Sequence, residues 1–203
     1  MTTLEIADII GIISFALSGF LIAVHYKLDI LGILISAFLT ALGGGVIRDV
    51  IANKIPYVFS HNLPIVLVVA TVIIALLFKV HKISNIEGKA AFIVLDAIGL
   101  SSFAITGSLV AIEYGFNFLG ILILAILTAV GGGTIRDILI NKIPFILVSE
   151  FYATVAIFIG IVMYVLNELD QINVINLIII FVVGVIIRLL AYYKKWHLPK
   201  LSM

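Results

Sequence analysis

The chain contains no cysteine, which excludes a disulfide framework, a thiol nucleophile and a thiolate metal site. Charge is scarce as well: 11% of residues are charged against 64% hydrophobic, with a mean hydropathy of +1.34. That is too little polar surface to cover a water-soluble particle of 203 residues, so the solvent of this chain is a bilayer. The first apolar run begins at Leu4 without a basic leader and recurs in mid-chain, so it reads as a spanning helix and not as a cleaved signal. Several signatures are missing too: a TVGYG-like carbonyl filter, an S4-like arginine ladder, a GxxxxGK[ST] phosphate loop, HExxH and a nucleophile elbow. His25, His61, His81 and His197 all fall in connectors or the tail. No enzymatic chemistry, cofactor or metal site is expected, and no nucleic-acid partner.

What the chain does have, it has twice. Residues 8 to 56 align with residues 96 to 144 at a constant offset of 88, without a gap, and about 29 of the 49 pairs are identical. Each copy carries the same block: Gly43-Gly44-Gly45-Val46-Ile47-Arg48-Asp49 then Asn53-Lys54-Ile55-Pro56, against Gly131-Gly132-Gly133-Thr134-Ile135-Arg136-Asp137 then Asn141-Lys142-Ile143-Pro144.

A spanning helix needs about 20 largely apolar residues, and the hydropathy predicts seven spans, near residues 4 to 24, 30 to 52, 63 to 80, 90 to 112, 118 to 140, 148 to 167 and 174 to 193. The repeat unit is then three helices, and an odd number forces the second copy to begin on the opposite side of the membrane. The expected fold is all-α: two inverted three-helix repeats, residues 1–89 and 90–170, with a seventh helix and tail over 171–203, in one membrane domain. Only Arg48 and Lys54 of the basic residues fall on the side of the N-terminus, while the other ten, among them Lys82, Lys89, Arg188 and Lys200, fall on the side of the C-terminus. The C-terminus is therefore expected in the cytoplasm and the N-terminus outside. Tyr192-Tyr193-Lys194-Lys195-Trp196 reads as an interfacial anchor with access to lipid.

Three consecutive glycines cost a helix roughly 1 kcal/mol each relative to alanine. Such turns bend, expose backbone carbonyls or let another helix approach closely; the first two imply a broken helix lining a wet site, the third tight packing. An arginine or aspartate at the centre of a span costs about 2.5 to 3.5 kcal/mol. Arg48 and Arg136 either snorkel and pair with Asp49 and Asp137, or line a site. Thr40 and Thr128, with Ser36 one turn before Thr40, supply hydroxyls for a partly dehydrated cation or for back-bonding to the preceding turn. Asp8 and Asp96 are placed to meet the arginine of a partner helix or to favour a helix N-terminus. Asn53 and Asn141, then Pro56 and Pro144, are expected to end the glycine-bearing helices. Gly11 to Gly19 and Gly99 to Gly107 read as packing faces.

Two GGGxxRD blocks, each followed by Asn-Lys-Ile-Pro, in a chain of about 200 residues resemble the prokaryotic branch of the trimeric intracellular cation (TRIC) channel family. The resemblance implies a homotrimer in which each protomer has its own pathway for monovalent cations, chiefly potassium, lined by kinked second and fifth helices. Gly43, Gly44, Gly45, Gly131, Gly132 and Gly133 would be the kinks, and Arg48, Asp49, Arg136 and Asp137 would lie at the pathway. Membrane lipid and a permeant K+ or Na+ are the implied partners. The same duplicated domain is described in bacteria as a small amino-acid, glycine-type transporter, so the alternative is a carrier in which the arginines hold a carboxylate; a third is a structural protein whose glycines only pack helices.

Overall fold

The computed structural model describes residues 2 to 80, 85 to 148 and 151 to 196, without the side chains of residues 85 to 89. His81, Lys82, His197 and Lys200 lie outside that description, and of Lys89 only the backbone is described, in a helix. Among the described residues the chain forms nine helices: α1 (Thr3–His25), α2 (Ile30–Ile51), α3 (Tyr57–Ser60), α4 (Leu63–Leu77), α5 (Asn85–Glu113), α6 (Phe118–Leu139), α7 (Phe145–Val148), α8 (Tyr152–Glu168) and α9 (Val174–Tyr193). Long, long, short, medium is thus played twice, with α9 left over.

Five of these helices, α1, α2, α5, α6 and α9, are long and apolar enough to cross a bilayer. The expected third and sixth spans differ from the expectation. The third is α4, 15 residues long, and the sixth is α8, 17 residues long, and a four-residue helix, α3 or α7, stands ahead of each. The cause is local and the same in both copies. Asp49 Oδ2 accepts the Tyr57 backbone N–H at 2.9 Å, and Asp137 Oδ2 accepts that of Phe145 at 2.8 Å. A buried carboxylate therefore satisfies one of the orphan donors at the start of each short helix.

The ends of α2 and α6 follow from their sequences. Asp29 caps α2 through Gly32 N–H and Asn117 caps α6 through Gly120 N–H, at 2.7 and 2.9 Å. At the other end Asn53 and Asn141 take φ values of +55° and +57°. Lys54 N–H then reaches back to Asp49 O and Lys142 N–H to Asp137 O, a Schellman closure in each copy. The asparagines end these helices as expected; the prolines do not. Pro56 is the N-cap of α3, and Pro144 O accepts the Leu147 N–H in the first turn of α7.

At the centre the two copies grip each other. The Phe103 ring fills the space over Gly11, and the Phe15 ring that over Gly99. The rings meet edge to face at 5.2 Å. Because Gly11 meets Phe103 while Phe15 meets Gly99, α5 runs antiparallel to α1. Ser102 adds a hydrogen bond to Ala7 O at 2.6 Å. The α2–α6 pair runs the same way: Thr40 O lies against Gly132 and Thr128 O against Gly44. Gly19 and Gly107 let α2 and α6 close onto α1 and α5, where Ser36 donates to Gly19 O at 2.8 Å. These are the packing faces read from the small residues. The last helix, α9, lies against α5 and α8, with Gly184 against Ile159 and Ser101.

Candidate functional site

Both glycine triplets lie inside unbroken helices, so the expectation of a broken helix is replaced by the third use of such turns, close approach. A Cβ on Gly44 would collide with the carbonyl of Thr128, and one on Gly132 with that of Thr40; on Gly43 it would sit 3.0 Å from Gly132 Cα. Glycine is required here because backbone meets backbone. A Cβ on Gly131 would press on the tip of Ile47, at 2.6 Å, with Gly44 Cα at an ordinary 3.6 Å. The third glycine of each triplet is different. Nothing lies within 4 Å of a Cβ on Gly45, and Gly133 faces Arg136 Nη2 at 3.7 Å.

Thr40 and Thr128 are fully buried at this crossing, and their hydroxyls bond to Ser36 O and Leu124 O at 2.6 Å each. They serve the preceding turn, and the structure does not bring them to the arginines.

The arginines do not snorkel. Arg48 and Arg136 are each 2% exposed. Arg48 is held from three helices: Nη1 donates to Asp8 Oδ1 at 2.8 Å and to Thr106 Oγ1 at 3.1 Å, and Nε donates to Asp49 Oδ1 at 2.8 Å. Lys54 approaches Asp49 from the rim at 3.3 Å, its side chain 29% exposed. Asp8 therefore meets the arginine of a partner helix, one of the two roles read for it. Against this cluster lie two adjoining cavities of about 30 and 50 Å³ that share Asp8, Ile12, Arg48, Tyr57 and Pro64. Gly45 lines the first. The space is enough for a few waters in contact with charge.

The second copy repeats the pattern with changes. Arg136 donates from Nε to Asp137 Oδ1 at 2.9 Å and pairs through Nη2 at 2.8 Å. Its Nη1 has no hydrogen-bond partner among the described residues, nor has Ser18 Oγ, which stands at the position equivalent to Thr106. Asp96 is buried within the field of Arg136 and Arg188 and interacts with the Tyr152 hydroxyl. The ring of Phe92 lies 5.7 Å from the Arg136 guanidinium.

Sequence reasoning missed Thr106, Tyr57, Phe92, Tyr152 and Arg188. Arg188 was legible: it is an arginine well inside an apolar 20-residue helix, the criterion applied to Arg48. The others face the site only through tertiary packing.

Fold and site together define a polytopic helical membrane protein in which α1 pairs antiparallel with α5 and α2 with α6, burying an arginine–carboxylate cluster in each copy. A family model described as glycine transporter matches the chain twice, over residues 5–81 and 93–168. The UPF0126 membrane protein YvgT of Bacillus subtilis (strain 168) is 35% identical over 198 residues, covering 98% of this chain and 96% of its own. The UPF0126 inner membrane protein YadS of Escherichia coli (strain K12) is 37% identical over 196 residues, covering 94% and 91%. Among solved structures, one described as giving the structural basis for conductance through TRIC cation channels is 35% identical, with a TM-score of 0.84 over 100% of this chain and 98% of that one. A prokaryotic TRIC channel crystallised in 0.5 M KCl is 32% identical, with a TM-score of 0.88 over 96% and 98%. The chain belongs to this family of duplicated membrane proteins, which takes in the UPF0126 proteins and the prokaryotic TRIC channels.

Proposed function

We propose that this protein is a monovalent cation channel permeable to potassium, with one pathway inside each protomer running past the α2–α6 crossing. In this reading α3 with α4 and α7 with α8 complete seven crossings, arranged as two inverted repeats (residues 1–89 and 90–170) followed by α9, with the N-terminus outside and the C-terminus in the cytoplasm. The protein works as a homotrimer in contact with lipid and catalyses no reaction. Gly43, Gly44, Gly131 and Gly132 set the crossing, Gly45 and Gly133 leave room beside the arginines, and Arg48, Asp49, Asp8, Arg136, Asp137 and Asp96 line or gate the two ends.

The observation that carries this reading is the Arg48 cluster bordering a cavity inside otherwise apolar helices. An unpaired arginine would repel cations by about 4 kcal/mol at 4 Å in a medium of effective dielectric 20. Asp8, Asp49 and Glu5, which lines the second cavity, outnumber Arg48 and Lys54 by one charge, so the paired site favours cations. The likeness to structures described as TRIC cation channels supports the same reading. The family model's description as glycine transporter and a guanidinium beside two carboxylates would also suit a zwitterion, so the test has two arms. Purified protein is reconstituted into liposomes, and potassium flux and glycine uptake are measured side by side. Unitary potassium currents without saturable glycine uptake support the channel. Saturable glycine uptake without currents overturns it.

A further inference from the structure

The two ends of the crossing are built from equivalent positions and filled differently. At one end Leu4, Asp8, Arg48, Tyr57 and Pro64 border the cavity. Their equivalents 88 positions on are Phe92, Asp96, Arg136, Phe145 and Tyr152. There a leucine and a proline have become aromatic, and the rings meet edge to face: Phe92 with Phe145 at 5.7 Å and Phe145 with Tyr152 at 5.4 Å. Onto this stack α9 lays Arg188, a residue for which the first copy has no counterpart. Its guanidinium lies 5.5 Å from the Phe145 ring centre and 4.9 Å from that of Tyr152, and it is fully buried. Arg136 borders the same stack through Phe92, so two guanidiniums bracket the three rings.

Charge follows the same division. At the first end Glu5, Asp8 and Asp49 stand against Arg48 and Lys54, leaving one negative charge. Asp96, Arg136 and Asp137 sum to the same, and Arg188 cancels it. Both differences, added bulk and added positive charge, oppose a cation at the same place.

We propose that Arg188, held over Phe145 and Tyr152, is the residue that limits conductance and sets ion selectivity at the Asp96 end, so that α9 makes the two halves of a duplicated pathway unequal. This rests on the reading of a pathway along the α2–α6 crossing. A guanidinium suits the task because its flat faces lie against aromatic rings while its charge stays in place.

The test uses the full-length protein in planar bilayers. Unitary potassium conductance and the reversal potential in a KCl gradient are measured for the wild type, Arg188→Gln and the double variant Asp96→Asn/Arg188→Gln, which removes a negative and a positive charge together. Arg188→Gln is expected to raise conductance about threefold or more and to move the reversal potential toward that of potassium. The double variant is expected to raise conductance by less, since the negative charge goes too. Wild-type currents with both variants unchanged in conductance and reversal potential would overturn the role of Arg188 while leaving the channel standing. Absence of current from every protein would overturn the channel reading, and this inference with it. If the arginine variants do not fold, Phe145→Leu decides: it thins the stack and keeps every charge, so raised conductance supports the proposal and unchanged conductance overturns it.

Discussion

Alanine in place of Gly44 and alanine in place of the adjacent Gly45 should have opposite effects. At Gly44 the new methyl would press on the Thr128 carbonyl, a backbone atom that moves only if the helix moves, whereas at Gly45 it would meet nothing within 4 Å. Overpacking of this kind costs about 1 to 3 kcal/mol, and the contact with a carbonyl puts Gly44→Ala at the upper end. Against it stands a gain of roughly 1 kcal/mol in helix propensity, which Gly45→Ala receives undiminished. The net expectation is a loss of about 2 kcal/mol for the first variant and a gain of up to about 1 for the second. At about 2 to 4 °C per kcal/mol, thermal unfolding of detergent-purified protein should show a midpoint lowered by about 4 to 8 °C for Gly44→Ala and unchanged or raised for Gly45→Ala. Gly132→Ala should follow Gly44→Ala, since it meets the Thr40 carbonyl, and Gly131→Ala should be milder because the Ile47 tip can turn aside. Equal midpoints for the Gly44 and Gly45 variants would refute the backbone-to-backbone crossing.

The Arg48 cluster makes a thermodynamic prediction. Arg48→Gln leaves Asp8 without its ion pair and Asp49 with Lys54 alone, and should cost about 3 to 5 kcal/mol, while Asp8→Asn/Arg48→Gln should cost less than the sum of the single variants. A double-mutant cycle on unfolding midpoints checks this, and strict additivity would count against the pairing. Orientation is open to direct labelling because the chain has no cysteine of its own. Asn62→Cys and Lys194→Cys both replace exposed residues; an impermeant maleimide added to intact cells should label the first and not the second, and the opposite pattern would reverse the assigned topology.

How far the sequence carried differs residue by residue. The internal repeat and the packing at Gly11, Gly19, Gly99 and Gly107 were legible because small residues at matched positions have few other uses in lipid. The bounds of α9 fall where the apolar run begins and ends. The short helices α3 and α7 ahead of the third and sixth spans were not legible, because they depend on Asp49 and Asp137 reaching the N–H groups of Tyr57 and Phe145 across a turn. The glycine triplets were ambiguous in sequence, since glycine serves a break and a close approach equally; only the carbonyls of Thr40 and Thr128 on the partner helix decide between them. The GGGxxRD blocks of the two arginine sites read alike in sequence, and the sites differ through replacements at packed positions, such as Phe92 for Leu4 and Tyr152 for Pro64, and through α9, which lies outside the repeat. An arginine within that helix was the available signal, and it was counted only toward orientation.

The most direct test of the central claim places a probe on the pathway. Gly45 borders the cavity beside Arg48 and has room for a side chain, so Gly45→Cys supplies a single thiol in a chain otherwise without one. Reconstituted in a bilayer and treated with a thiol-reactive quaternary ammonium reagent, this variant should lose most of its potassium current, and a reducing agent should restore it. A thiol shown to be modified with the potassium current unchanged would contradict a pathway along the α2–α6 crossing.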